Sequence, residues 1–203
     1  MTKRTYKSAA RDVAAEKNRQ RIVAAAGKLL RAKGAGNFSL DAVAKKARVT
    51  RLTVYNQFGS RRRLLEAVFD DHAARGGLIR LPQAISAPDP GEGLRQLVEI
   101  FCDFWSLNHD AMTGLQATGG ADKDFATAIR ARNERRRSIL GLLLTRLAER
   151  GEIAAPAVAD LRDLLFAITS LAFFAELARS GGASKAASQV KALAIQVIAG
   201  AKP

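Results

Sequence analysis

The chain has 203 residues, with 33 Lys and Arg against 19 Asp and Glu, for a formal net charge of +14. At 48% hydrophobic and 26% charged residues its composition is that of a globular protein of one or two domains, not of a disordered or fibrous chain. A single cysteine, Cys102, excludes an internal disulfide and fits the reducing cytoplasm; no apolar run reaches the roughly 18–20 residues that span a bilayer, and the opening MTKRTYKSAARD lacks the apolar stretch of a signal peptide.

The charge is concentrated at one end. Residues 1–63 hold 17 basic and three acidic side chains (Asp12, Glu16, Asp41), while residues 64–203 hold 16 of each. This pattern joins a segment suited to nucleic acid or an anionic surface to a neutral domain. The expected division is therefore 1–63, a basic tail with a domain for an anionic partner, and 64–203, a helical domain.

In chain order the periodicity is helical throughout, with no alternating strand pattern and no internal repeat. The stretch from Arg11 to Lys33 carries Ile22, Ala25, Ala26 and Leu29 at helical spacing, and Gly34 stops it. Ser39 is a natural N-cap for a short helix through Ala47, with Asp41 near its positive end. Thr50 opens a second short helix that Gly59 ends, and Ser60 starts a longer one through about Ala74. Gly76–Gly93 reads as an irregular connection. A helix follows with Leu94, Val98, Phe101, Cys102 and Trp105 on one face and Leu97, Ile100, Phe104 and Leu107 on another, so both sides should be covered. A helix from about Ala121 to Arg150 ends at Gly151. The next, from Pro156 to about Arg179, is apolar nearly all round, and Gly181-Gly182 separates it from a last helix, Ser184 to Ala199. The predicted fold is all-α: an N-terminal three-helix DNA-binding domain, a C-terminal helical bundle, and about nine helices in all.

Residues 39–58, SLDAVAKKARVTRLTVYNQF, place two short helices around a tight turn at Arg48-Val49, with small Ala44 at the crossing and Leu40, Val43, Val49 and Val54 as a shared core. This is helix-turn-helix spacing, in which the second helix enters the major groove of DNA. At these residues the chain resembles the tetracycline-repressor (TetR) family of bacterial transcription regulators. The family pattern runs Ile-Ala-x-x-Ala-Gly-Val-Ser-x-Gly-Thr-Leu-Tyr-x-His-Phe-x-Ser-Lys-x-x-Leu. The matching stretch is Val43-Ala44-Lys45-Lys46-Ala47-Arg48-Val49-Thr50-Arg51-Leu52-Thr53-Val54-Tyr55-Asn56-Gln57-Phe58-Gly59-Ser60-Arg61-Arg62-Arg63-Leu64, and the likeness covers about residues 15–70. Two positions depart from it: the turn glycine is Arg48 and the glycine of the second helix is Leu52.

Arg51 is the first choice for base readout, since a guanidinium can bridge guanine O6 and N7; Asn56 and Gln57 come next. Leu52 either meets a thymine methyl or packs. Thr50 and Thr53 can offer hydroxyls to a phosphate at the helix N-terminus, with Ser39 at the start of the preceding helix. The resemblance assigns Tyr55 to the DNA backbone and makes Arg61, at the family's basic position, the leading phosphate contact. Lys45, Lys46 and Arg48 are further contacts or a solvated face, and Arg62 and Arg63 add general field. Lys3, Arg4, Lys7 and Arg11 read as an arm along phosphates or in the minor groove, or as a solubilising end.

Reading a dyad-symmetric double-stranded DNA operator requires a homodimer. Its expected interface lies on the last two helices, at Leu161, Leu164, Leu165, Ile168, Phe173, Val190, Leu193 and Val197. The resemblance also implies a small-molecule inducer among the middle helices, where Phe101, Phe104, Trp105, His109, Met112 and Phe125 are candidate lining. Inducer binding is expected to move the helix leaving the DNA-binding domain and so to respace the two reading heads. The run Arg130, Arg132, Arg135, Arg136 and Arg137 offers either a site for an acidic ligand or, the simpler reading, a solvated face. No catalytic residues, cofactor or metal are expected: His72 and His109 lack metal-ligand spacing, Cys102 and His109 share a helix without a third ligand, and neither a P-loop nor a dinucleotide fingerprint is present. The expected protein is a cytoplasmic repressor with no membrane partner; the rival is a non-specific basic nucleic-acid-binding protein.

Overall fold

The computed structural model describes residues 3–32, 38–120 and 123–201, with side chains from residue 13 onward. Among the described residues there is no strand; the α-helices are α1 (Lys3–Arg31), α2 (Leu40–Ala47), α3 (Arg51–Phe58), α4 (Arg61–Arg75), α5 (Leu81–Ile85), α6 (Pro90–Gly119), α7 (Lys123–Glu149), α8 (Val158–Ile168) and α9 (Leu171–Ala199). The expected all-α architecture is observed. Two compact units divide it: residues 1–71 with 110–126, and residues 72–109 with 127–203.

In the first unit, Ile22, Ala25, Ala26 and Leu30 of α1 are buried together with Val43, Ala44 and Ala47 of α2, Val54 and Phe58 of α3, and Leu64, Leu65 and Val68 of α4. Leu29, expected on this face, is only half-buried and Leu30 takes its place. Gly114 of α6 lies so close to α1 that a Cβ there would collide with the Leu30 carbonyl oxygen. A side chain at that position is therefore incompatible with the packing. The arm residues Lys3, Arg4, Lys7 and Arg11 and the stop at Gly34 lie outside the residues whose side chains are described.

The second unit is built on α6 residues Leu94, Leu97, Val98, Phe101, Phe104 and Trp105, α7 residues Leu140, Leu143, Leu144 and Leu147, and Leu161, Leu165, Phe174 and Val190 of the last helices, all buried. The two-sided burial expected of α6 holds through Trp105, but Leu107 is exposed. The 76–93 stretch is more ordered than its Pro and Gly content suggests, forming a 3-10 turn at Leu78–Arg80 and the short α5. Arg146 fixes its far end by donating to the carbonyls of Ile85 and Ala87 at 2.9 and 2.6 Å.

The long apolar helix expected from Pro156 to Arg179 is instead two. Thr169 ends α8, and Ser170 caps α9 by accepting the Phe173 amide at 3.2 Å. The indole of Trp105 donates to the Thr169 carbonyl at 3.0 Å, so the break is held by a side chain from another helix. The interruption expected at Gly181-Gly182 is present as a kink, with Gly182 at φ 75° within α9. No helix among the described residues is long and apolar enough to cross a membrane.

Candidate nucleic-acid interface

The two short helices are fixed at both ends by their own sequence. Ser39 Oγ accepts the Ala42 amide at 3.1 Å at the start of α2. At the other end Arg48 adopts φ 54°, ψ 46°, its amide donating to Lys45 O at 3.2 Å while the Val49 amide donates to Ala44 O at 3.0 Å. These two bonds form a Schellman ending, which a glycine makes without strain and any other residue makes at a cost. The position where the family has glycine thus does carry positive φ, and Arg48 is the only non-glycine residue with positive φ among the described residues. Arg21 of α1 adds an outside cap, donating to the Ala47 carbonyl at 2.8 Å.

Thr50 opens α3 by accepting the Thr53 amide at 3.1 Å, and the two hydroxyls are 2.8 Å apart. One hydroxyl hydrogen is spent between them, which leaves the other for an external acceptor beside the positive helix end. Val54 and Phe58 are buried beneath α3, whereas Arg51, Leu52, Tyr55 and Asn56 are exposed and Thr53 and Gln57 are half-buried. Leu52 is 66% exposed and Tyr55 57% exposed, so neither serves the core of its unit. Lys45, Lys46 and Arg48 stand exposed at the end of α2, where cations suit the negative pole of the helix.

Two arginines make contacts that were not legible from the motif. Arg51 Nη1 lies 3.3 Å from Asp41 Oδ2 on α2. Arg61 is half-buried, with Nη2 donating to the Thr118 carbonyl at 3.0 Å and its guanidinium 5.6 Å from the centre of the Phe38 ring. Arg61 thus ties α4 to the end of α6 inside the first unit, an internal engagement that a phosphate would have to share. Behind α3, Arg19, Asn56, Gln57, Phe58, Arg63 and Glu66 line an open groove of about 500 Å³, with the Arg19 guanidinium 4.7 Å from the Phe58 ring centre.

Of the candidate ligand-lining residues, Phe101, Phe104, Trp105 and His109 belong to the second unit and Met112 and Phe125 to the first. The Phe104 and Trp105 rings pack at a tilt of 51° with centres 4.6 Å apart, and His109 Nδ1 is 3.1 Å from the Trp105 carbonyl. Of the candidate dimer residues, Leu161, Leu165 and Val190 are buried within the single chain, Ile168, Phe173, Leu193 and Val197 are partly exposed, and Leu164 is 51% exposed. Among the described residues no group of three or more His, Cys, Asp or Glu side chains is arranged to hold a metal.

A capped α2–turn–α3 pair with a polar outer face, on the basic end of an all-helical chain, defines a helix-turn-helix protein of the DNA-binding class. Residues 22–68 match the bacterial regulatory proteins of the tetR family. The match includes residues 43–64, where the resemblance to that family was read. Solved structures extend the likeness to the whole fold. A TetR transcription regulator from Haloarcula marismortui is similar at TM-score 0.75 and 15% identity, over 93% of this chain and 100% of that one. The TetR-family regulator PfmR from Thermus thermophilus is similar at 0.72 and 21%, over 90% and 100%. The ketosteroid transcriptional regulator KstR2 of Mycobacterium tuberculosis is similar at 0.69 and 17%, over 91% and 95%. No protein of curated function matches by sequence. These likenesses establish the fold.

Proposed function

We propose that this chain is a sequence-specific transcription regulator, a cytoplasmic repressor that binds a pseudo-palindromic operator as a homodimer and is released by a small molecule. In this reading residues 1–63 read DNA and residues 64–203 dimerise and hold the ligand. The observation that supports it most is the outer face of α3. Arg51, Leu52, Tyr55 and Asn56 are exposed on a helix whose other side is anchored by Val54 and Phe58 and whose start is capped by Thr50. Such a face carries hydrogen-bonding groups for base edges and a methyl-contacting Leu in one rigid element. Thr50, Thr53, Tyr55 and Ser39 surround it with phosphate-binding hydroxyls. The partly exposed apolar stripe of α8 and α9, with Leu164, Ile168 and Leu193, supplies the dimer surface. Ligand and operator would each weaken the other's binding by the same factor.

Selection of bound sequences from a random duplex pool by the purified protein tests this reading. A single pseudo-palindromic consensus, retained at moderate salt, is the expected result. Equal affinity for all duplexes, falling steeply with salt, would instead establish the non-specific basic binder.

A further inference from the structure

The five arginines between positions 130 and 137 of α7 have different surroundings. Arg130 and Arg135 are exposed, and Arg137 pairs with Asp163 at 2.5 Å and Glu134 at 3.6 Å. Arg136 is 4% exposed and takes part in no ion pair among the described residues. Its Nη1 donates to the Phe166 carbonyl at 2.9 Å and to Thr169 Oγ1 at 2.5 Å, both at the C-terminal end of α8. The negative pole of that helix supplies the equivalent of about half an opposite charge. The rings of Phe166 and Phe101 flank the guanidinium, with centres 4.1 and 5.4 Å away.

One edge of the guanidinium is left over. Buried Nε has no hydrogen-bond partner, and Nη2 donates to no protein atom among the described residues. Those two groups form the side-on edge that receives both oxygens of a carboxylate in parallel. A desolvated cation with an incomplete counter-charge and an unmet donor is costly to maintain. Burial, and secondarily the neighbouring Arg137 charge, pull the Arg136 pKa down to about 10, still charged at neutral pH. Arg137 shares the Phe166 ring, its guanidinium also 4.1 Å from the ring centre, but it is committed to Asp163 and Glu134, which leaves Arg136 as the available cation.

We propose that the Nε–Nη2 edge of Arg136 anchors the carboxylate of a small, largely apolar monoacid seated beside Phe101 and Phe166. This deepens the ligand half of the proposed function and rests on it. Trp105, the chain's one tryptophan, is a built-in reporter. Its indole donates to the carbonyl of Thr169, the residue whose hydroxyl accepts from Arg136.

The test uses the full chain without DNA, titrated with benzoate and with benzamide, its neutral planar counterpart. Benzoate should change Trp105 emission saturably and raise the melting midpoint, with benzamide at least tenfold weaker. Arg136→Gln and Arg136→Lys should each weaken the benzoate response at least tenfold in variants whose circular dichroism is unchanged; Arg137→Gln should retain it. Equal responses to benzoate and benzamide, no saturable response to benzoate up to its solubility limit, or a folded Arg136→Gln that responds like the wild type would overturn the proposal. If the variants fail to fold, the comparison of the two compounds on the wild type decides. Repeating the titration on the selected duplex separates the two readings. Benzoate binding without release of DNA keeps the anion site and removes ligand release, whereas a specific operator with no benzoate response does the reverse.

Discussion

Arg51 Nη1 stands 3.3 Å from Asp41 Oδ2, which links the first turn of α2 to the first residue of α3. The pairing has a physical cause. Asp41 suits the positive end of α2, whereas Arg51 sits at the positive end of α3 and gains from a nearby carboxylate. Both side chains are about two-thirds exposed, so the pair adds less than about 1 kcal/mol to stability. Its consequence is orientation of the residue proposed to read bases. Asp41→Asn should leave the melting midpoint nearly unchanged, tighten binding to random duplexes by removing a negative charge, and narrow the preference for the selected operator. Competition binding at two salt concentrations measures both effects. An unchanged preference would show that Arg51 is oriented without Asp41.

Arg51→Ala should cost about 1–3 kcal/mol of discrimination at one operator position while leaving non-specific affinity less affected. Binding to a panel of single-base operator variants is the measurement. A uniform loss across the panel would reassign Arg51 from bases to phosphates.

Arg48 is held at φ 54°, a left-handed conformation that costs a side-chain-bearing residue about 1–2 kcal/mol. Glycine removes that strain but adds about 0.5–1 kcal/mol of unfolded-state entropy. Arg48→Gly should therefore stabilise the protein by up to about 1 kcal/mol, whereas Arg48→Ala, which keeps a Cβ, should not. Urea midpoints of the two variants make the comparison. If Arg48→Gly also weakens DNA binding, the strain accompanies a contact made by the exposed guanidinium.

The helix-turn-helix was legible because its signals are local. Ser39 and Thr50 cap where their side chains predict, Val43 and Val54 of the expected shared core are buried while Leu40 and Val49 are only half-buried, and the turn takes positive φ at Arg48. Long-range contacts were not legible, since nothing in the spacing of Arg61 announces a carbonyl 57 residues away at Thr118. The same holds for Arg21 at Ala47 and Arg136 at Phe166. A run of arginines on one helix reads as a solvated face until the neighbouring helices bury one of them. The break at Thr169-Ser170 was hidden by a continuous apolar pattern, because a serine cap inside such a run is a weak signal.

Arg61 engages Thr118 and Phe38 within its own unit. Arg61→Ala should thus lower stability by about 1–3 kcal/mol, the cost of a lost charged hydrogen bond in a part-buried setting. Arg63→Ala, at the exposed neighbouring position, should leave stability within about 0.5 kcal/mol of the wild type. Thermal melts of the two variants decide. A stable Arg61→Ala that loses affinity for every duplex alike would show that its main role is on phosphates.

Cys102 is 1% exposed, with Sγ 3.7 Å from the Ala187 carbonyl, and burial pushes its thiol up to about 11 from an ordinary value near 9. The folded state therefore holds the proton more tightly than the unfolded chain does. That contribution to stability is fully present below about pH 9 and is lost as pH rises through about 11. A shift of about two pKa units is worth on the order of 2 kcal/mol. Lysines titrate in the same range, so the measurement is the difference between wild type and Cys102→Ala. Their urea stabilities should differ by a constant amount up to about pH 9, with the wild-type advantage shrinking between about pH 9 and 11. A difference that stays constant across that window would mean that the thiol is already accessible to water in the folded protein. In that case iodoacetamide should modify native Cys102 as fast as it modifies the unfolded chain.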